Sequence, residues 1–175
     1  MDDKNFNRAK ELFFHYCGSL FHMSREGDYT EYKTYNISKE QELIWKNELV
    51  EKWVNQLSFK DTLAFLRLVM IAENYHDYNV VKRLIRYVAD NIDRGDSLIK
   101  LVYAEVLLNI VCPKELTKAK VGAVGDLLRS VSDNPITVDS SWTKKGFSDK
   151  LPDEEYIINR LKKDLAHLAE AKSSI

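Results

Sequence analysis

The sequence predicts an all-α protein, a single-domain antiparallel bundle of about six to seven helices. Four mostly apolar segments follow one another at equal spacing, and they begin 19 residues apart at Phe59, Tyr78, Ser97 and Leu116. Short polar breaks separate these segments, a rhythm typical of antiparallel helices joined by tight turns. The alternation of apolar and polar residues that marks a strand is confined to residues 136–138.

Two helices are predicted before this periodic region, on either side of a polar connection. The first covers about residues 5–23, and the connection covers residues 24–37. The second follows Ser38, whose side chain can form a capping box with Gln41, and it ends at about Leu57. The stripes that we expect to be buried are Phe6, Ala9, Phe13, Cys17 and Leu20 in the first helix, and Leu43, Val50, Trp53, Val54 and Leu57 in the second.

The next two segments predict a central helix followed by an amphipathic one. Between Leu63 and Ala72 the only charged residue is Arg67, so this helix should be surrounded by protein on nearly all sides. The following helix has its apolar side chains on one face. These are Val81, Leu84, Ile85, Val88 and Ile92.

Two further helices are predicted before a second long connection. Residues 98–111 are mostly apolar and end before Pro113. Residues 116–131 contain Gly122 and Gly125, whose spacing suggests a close approach between two helices.

Residues 132–150 are rich in serine and aspartate and are typical of a connecting loop. The last helix is predicted to begin with Pro152 at its first position, followed by three acidic residues. Its apolar stripe is Ile158, Leu161, Leu165 and Leu168.

A two-unit helical-hairpin repeat is a second way to interpret the spacing. Residues 59–96 and 97–134 have equal length, close to that of known helical repeats. Their first halves align well, but their second halves place Leu84 against Gly122. Both an ordinary bundle and a repeat remain open at this point.

Composition favours a location in the cytoplasm. The chain has 26 basic and 27 acidic residues, so no overall charge attracts nucleic acid or an anionic membrane. Cys17 and Cys112 lie within apolar segments, which is typical of a reducing compartment. The first residues lack the apolar core of a signal peptide, and the stretch 101–112 is too short to span a bilayer. No membrane association is expected.

The first helix carries three side chains that could bind a metal. Glu11, His15 and His22 are spaced by four and seven residues, which puts them on one helical face. That face is opposite Phe13 and Leu20, so a solvated polar face is the favoured interpretation.

Two further positions could carry chemistry. Glu73 and His76 have the spacing of a di-iron motif, but a second such motif is missing from the sequence. An interaction of His76 with the end of its helix is therefore favoured. Glu105 would be a candidate general acid or base if it were buried, and the alternative is that it marks the exposed face of its helix.

The tyrosines are the favoured candidates for contacts with a partner. Tyr29, Tyr32 and Tyr35 lie in the polar connection, and Tyr75 and Tyr78 flank a helix junction. Tyrosine combines an apolar ring with a hydrogen-bonding tip and is enriched at protein interfaces. The alternative is that these rings fold back and cover one end of the bundle.

The sequence thus favours a non-catalytic protein that binds another protein. It would be an adaptor, an inhibitor or immunity-type protein, or an assembly subunit. Motifs for nucleophilic catalysis, phosphate-binding loops and zinc proteases are missing, and no cofactor is expected. The alternatives are a metal-dependent helical enzyme and a subunit of a nucleoprotein complex with local basic clusters. Nucleic acid is the disfavoured partner, and self-association is left open.

Overall fold

The computed structural model describes residues 2–144 and 151–173, and all regular secondary structure within them is helical. The all-α prediction is confirmed. Ten helical segments occur in this part of the chain. They are α1 Asp3–His15, α2 Leu20–Glu26, α3 Tyr29–Thr34, α4 Lys39–Val54, α5 Leu63–Tyr75, α6 Tyr78–Asp90, α7 Ser97–Asn109, α8 Lys114–Ser132, α9 Ser141–Lys144 and α10 Glu154–Ser173.

The segments group by their internal contacts into two compact units. Unit 1 consists of Met1–Leu57 and Ala64–Val80, and unit 2 consists of Ser58–Leu63 and Val81–Ile175. The single domain predicted for residues 1–175 and the hairpin repeat both stay predictions. None of the helices described is long and apolar enough to cross a membrane.

The prediction of one continuous helix over residues 5–23 is wrong, because α1 ends at His15 and α2 begins at Leu20. Cys17 and Gly18 both have positive φ angles, of 49° and 72°, which a continuous helix cannot accommodate. Ser19 then caps α2, and its side chain accepts a hydrogen bond from the backbone N–H of His22 at 3.3 Å. The break explains why Leu20 is exposed, contrary to its place in the predicted stripe.

The polar connection predicted over residues 24–37 is also mostly helical. It contains the end of α2 and all of α3, separated by Gly27 in the left-handed conformation. The helix was missed because α3 has six residues and buries only Tyr32, too little to show a periodic stripe.

Unit 1 is built around α4, which packs against α1. The predicted cap is confirmed, since Ser38 accepts a hydrogen bond from the N–H of Gln41 at 3.2 Å. The predicted stripe is wrong at Leu43, which is 50% exposed. The buried face is set instead by Trp45, whose ring centroid lies 5.2 Å from that of Phe6 and 5.5 Å from that of Phe13.

Unit 2 contains three helices, α7, α8 and α10, that pack against one another. Two starts predicted from the 19-residue spacing, Tyr78 and Ser97, are confirmed for α6 and α7. On α6 the predicted face is buried at Val81, Leu84, Ile85 and Val88. On α8 a Cβ at Gly125 would lie 3.6 Å from Leu168 of α10, whereas Gly122 has open space around it.

The last helix differs from its prediction at its start and on its buried face. It begins at Glu154 rather than Pro152, because Asp153 acts as the cap and accepts a hydrogen bond from the N–H of Tyr156 at 2.8 Å. Its buried residues are Ile157, Asp164 and Leu168. Leu165, which the prediction placed on the buried stripe, is exposed. The connection predicted over residues 132–150 contains α9, and its residues 145–150 lie outside the described part of the chain.

Candidate functional site

All five tyrosines predicted to contact a partner belong to unit 1, but they differ in exposure. Tyr78, at the start of α6, is the most accessible at 39%. Tyr29, Tyr35 and Tyr75 are partly buried. Tyr32 is 4% exposed and belongs to the core.

Tyr32 holds α3 against the start of α4. Its hydroxyl donates a hydrogen bond to Glu42 Oε1 at 2.7 Å. Burial, together with the neighbouring carboxylate, raises the pKa of Tyr32 well above its ordinary value. In this unit its ring is used for packing, 6.4 Å from the ring of Phe13.

Tyr35 takes part in a surface network that ties α3 to α1. Arg8 contacts Glu31 with two hydrogen bonds, at 2.7 and 3.0 Å, and Tyr35 donates to the same carboxylate at 2.8 Å. These bonds from Arg8 and then Tyr35 lower the pKa of Glu31 to about 2. The carboxylate is therefore ionised at neutral pH, and α3 is fixed on its outer side.

Tyr75 supports the break between α1 and α2. Its hydroxyl donates a hydrogen bond to the carbonyl oxygen of Gly18 at 3.3 Å. Burial raises the pKa of Tyr75 to about 12. Lys46 Nζ lies 5.8 Å from the centre of the same ring and forms a 2.6 Å ion pair with Asp77. Tyr78 follows directly and is left accessible.

The candidate metal ligands are not brought together as the sequence predicts. Because α1 ends at His15, Glu11 and His22 do not share a helical face. His76 has a positive φ of 49° and lies beyond the end of α5, so the helical spacing from Glu73 is lost. Among the residues that the structure describes, no three His, Cys, Asp or Glu side chains are placed to hold a metal ion.

His15 and His22 nevertheless line one cleft in unit 1, where the end of α1, α2 and α5 meet. The cleft has a volume of about 260 Å³. We call it the cationic cleft, and its lining residues are His15, Tyr16, His22, Arg25, Glu26, Arg67 and Met70.

Arg67 is the distinctive group of the cationic cleft. It is partly buried, and its hydrogen bond runs from Nη1 to the Sγ atom of Cys17 at 3.6 Å. Burial raises the pKa of the Cys17 thiol, so this partner is neutral. Among residues 2–144 and 151–173, Arg67 has no ion pair with a carboxylate.

The other charges of the cleft are largely compensated. Arg25 donates two hydrogen bonds to Glu26, at 3.0 and 3.1 Å. The hydroxyl of Tyr16 donates to Asp28 Oδ2 at 2.7 Å, so its ring is held in place at the edge of the cleft. The uncompensated positive charge is therefore that of Arg67.

The helix that contributes His22 also presents an exposed aromatic ring. Phe21 is 72% exposed, and its ring lies 5.5 Å from that of His22. Leu20 beside it is exposed as well. The result is an apolar projection directly next to the cationic cleft.

Unit 2 contains a second group of ionisable side chains, between α7 and α10. Glu105 is paired with Arg160 through two hydrogen bonds, one of them 2.8 Å long. It is partly buried, so it is neither the isolated buried acid nor the fully exposed residue that the sequence left open. Next to this pair, Asp164 is 3% exposed, and within residues 2–144 and 151–173 its Oδ2 atom has no hydrogen-bond partner.

Comparison with known proteins does not assign this site. No protein family, curated protein or solved structure matches the chain.

The sequence did not predict Phe21, Arg25 or Arg67 as site residues. One signal was present, since Arg67 is the single charge in an otherwise apolar helical stretch. Phe21 gave no signal, because its exposure follows from the break at Gly18.

Proposed function

We propose that the chain is a non-catalytic helical protein that binds another protein through unit 1. The observation that carries this proposal is the exposure of Phe21, at 72%, with Leu20 exposed beside it. Leaving a phenylalanine ring in water forgoes about 1.5–3 kcal/mol of burial free energy, which a partner that covers the ring recovers. Aromatic side chains are also enriched at the centres of protein interfaces.

The helix that presents Phe21 is fixed at both ends. Ser19 caps its start, and Gly27, with φ of 94°, ends it. Tyr75 braces the preceding break through the carbonyl of Gly18. A ring on a fixed backbone loses little conformational entropy when it binds, which favours affinity.

Three of the tyrosines predicted from the sequence extend this surface in the proposal. Tyr29, Tyr35 and Tyr78 retain accessible parts, whereas Tyr32 and Tyr75 hold neighbouring segments in position. The free thiols of Cys17 and Cys112 support a cytoplasmic location.

A metal-dependent enzyme is the second candidate, because two imidazoles share the cationic cleft. The charges in the cleft oppose it. Arg67 lines the same cleft as His15 and His22 and has no carboxylate partner among the described residues, so its guanidinium group would repel a divalent cation. Metal analysis of untagged protein tests this candidate, and less than stoichiometric zinc, iron and manganese would dismiss it.

The proposal is tested by affinity capture with matched variants. Wild-type protein, Phe21→Ala and Val111→Ala are each used to capture partners from native lysate, and the captured proteins are identified and quantified. Val111 is the control because it is 82% exposed and belongs to unit 2. Phe21→Ala is expected to reduce retention of the partner by about tenfold or more, and Val111→Ala to leave it unchanged.

Two results would contradict the proposal. One is a partner that Phe21→Ala and wild type retain equally. The other is a strictly monomeric protein, by analytical ultracentrifugation, that retains nothing from the lysate. A second copy of the chain as the captured species would identify self-association as the interaction.

A further inference from the structure

We infer that the cationic cleft of unit 1 is a binding site for a phosphoryl oxyanion. The ligand is a phosphate monoester or inorganic phosphate, held by the guanidinium group of Arg67. This inference is independent of the proposed function, since it concerns the charge of the cleft and not the exposed ring of Phe21.

The charge of Arg67 is not balanced by a carboxylate within the described residues. Partial burial removes water from a charged group, and this costs free energy unless an anion or several acceptors replace the water. The described part of the chain supplies only a neutral thiol, 3.6 Å from Nη1. An oxyanion in the cleft would provide both the missing charge and acceptors for the remaining N–H groups.

Hydrogen-bond donors from separate segments line the cationic cleft. Arg67 comes from α5, His15 from the end of α1 and His22 from α2. Imidazole and guanidinium groups both donate N–H hydrogen bonds to anions. Donors on three separate segments match the three terminal oxygens of a phosphoryl group better than the two oxygens of a carboxylate.

The cationic cleft is small. Its volume of about 260 Å³ is below the range of about 300–1,000 Å³ that is usual for sites of drug-sized ligands. The space suits a phosphoryl group with a small carrier. Glu26 is the one carboxylate lining the cleft, and Arg25 already neutralises it.

The chain offers a direct test, because it has four histidines and the cleft contains two of them. Inorganic phosphate is titrated at constant pH and ionic strength, and the imidazole signals are followed by two-dimensional ¹H–¹⁵N NMR. The signals of His15 and His22 are expected to shift and to saturate. Those of His76 and His167, which do not line the cleft, are internal controls and are expected to stay in place.

Variants connect the signal to Arg67. Arg67→Gln is expected to weaken phosphate binding by about tenfold or more, the usual effect of losing hydrogen bonds to a charged group. Arg67→Lys keeps the charge but not the planar fork, and is expected to recover part of the affinity. Arg129→Gln is the control, because Arg129 is exposed in unit 2 and pairs with Asp126. Circular dichroism shows whether each variant is folded. If Arg67→Gln does not fold, the wild-type titration with its two control histidines tests the inference by itself.

Two further binding measurements distinguish a phosphorylated protein from a free metabolite as the source of the phosphoryl group. A phosphoserine peptide that binds more tightly than phosphate, while its unphosphorylated form does not bind, indicates a modified protein. Phosphate that binds at least as tightly as the peptide indicates a free metabolite. The inference is overturned if the imidazole signals stay in place, if all four move together, if acetate acts as well as phosphate, or if a folded Arg67→Gln binds like wild type.

Discussion

The two units of this protein differ in where their aromatic and ionisable side chains lie. The core of unit 1 includes a series of ring contacts, from Phe6 to Trp45 and from Phe13 to Trp45 and Tyr32. Its ionised groups lie at the edges, where they pair with tyrosine hydroxyls or with one another. Its surface presents an exposed ring, that of Phe21, and a positive charge, that of Arg67, which has no carboxylate partner in the part of the chain that the structure describes.

In unit 2 most of the core is aliphatic, and charged groups are buried inside it. Lys120 Nζ donates to the carbonyl of Ile110 at 2.9 Å, which satisfies an acceptor just beyond the end of α7. Lys100 Nζ donates to Ser130 at 2.8 Å and links α7 to α8. Asp164 is buried, and its Oδ2 atom has no hydrogen-bond partner among the described residues. Lys100 and Lys120 of unit 2 thus tie helical segments to one another, whereas Arg67 of unit 1 lines an open cleft.

The largest loss of stability is expected when a buried ring is removed from unit 1. Trp45→Ala removes a fully buried ring between Phe6 and Phe13 and is expected to lower the free energy of unfolding by about 3–5 kcal/mol. Urea denaturation followed by circular dichroism measures the change, with Val111→Ala as an exposed control. A loss below about 1 kcal/mol would show that the rings do not form the core.

Alanine substitutions at two glycines of unit 1 distinguish the cost of backbone strain from the cost of a packing clash. Gly18 has φ of 72°, and a Cβ there would lie 2.6 Å from Tyr75 Oη and 2.9 Å from Phe13 Cζ. Gly27 has φ of 94° with nothing within 4 Å. Gly18→Ala is expected to cost about 2–4 kcal/mol, and Gly27→Ala about 1 kcal/mol, because only the first adds a clash to the strain. Equal losses in thermal or urea unfolding would show that packing does not fix the break before α2.

In unit 2, the buried carboxyl group of Asp164 is expected to make the stability depend on pH. Burial, and then the nearby charge of Glu105, raise the pKa of Asp164 to about 6, against the opposing effect of Arg160, Lys163 and His167. The folded protein therefore keeps a proton that the unfolded chain has released, and stability should fall as the pH rises from about 4 to about 6. Above that window the loss is complete.

The substitution that removes this titration is Asp164→Asn. It is expected to raise the free energy of unfolding at pH 7 by about 1–3 kcal/mol and to have little effect at pH 4. Asp126→Asn, on the exposed face of α8, is the control and should change stability by less than about 0.5 kcal/mol. A variant that is less stable than wild type at pH 7 would show that Asp164 is paired in solution.

The smallest expected effect is the difference between a buried tyrosine of unit 1, Tyr32, and a partly buried one, Tyr35. Tyr32→Phe removes the hydrogen bond to Glu42 and is expected to cost about 1 kcal/mol. Tyr35→Phe removes a surface bond to Glu31 and should cost less than about 0.5 kcal/mol. Urea denaturation of the two variants gives this comparison, and a larger loss for Tyr35→Phe would reverse it.

The helical class and the starts of α6 and α7 could be predicted because they depend on local patterns. Polar breaks precede Tyr78 and Ser97, and the apolar residues of α6 share one face. The break after His15 could not be predicted, since Cys17 adopts a positive φ that a non-glycine residue rarely has. Once this break is missed, the exposure of Phe21 is missed with it.

The cationic cleft was missed for a different reason. Its side chains come from three helical segments and meet only through tertiary packing, so no local spacing marks them. The buried face of α4 was misjudged because its hydrophobic pattern also fits Leu43, and contacts with Phe6 and Phe13 select Trp45 instead. The buried face of α10 was misjudged because it contains a polar residue, Asp164, whereas an apolar stripe is expected on a buried face.

The most direct test of the central claim, that unit 1 carries the binding surface, is hydrogen–deuterium exchange with and without the captured partner. The account predicts slower exchange in residues 15–35 and 64–80, with exchange in α7 and α8 unchanged. Protection confined to residues 97–132, with none in α2, would contradict it and would place the interface on unit 2.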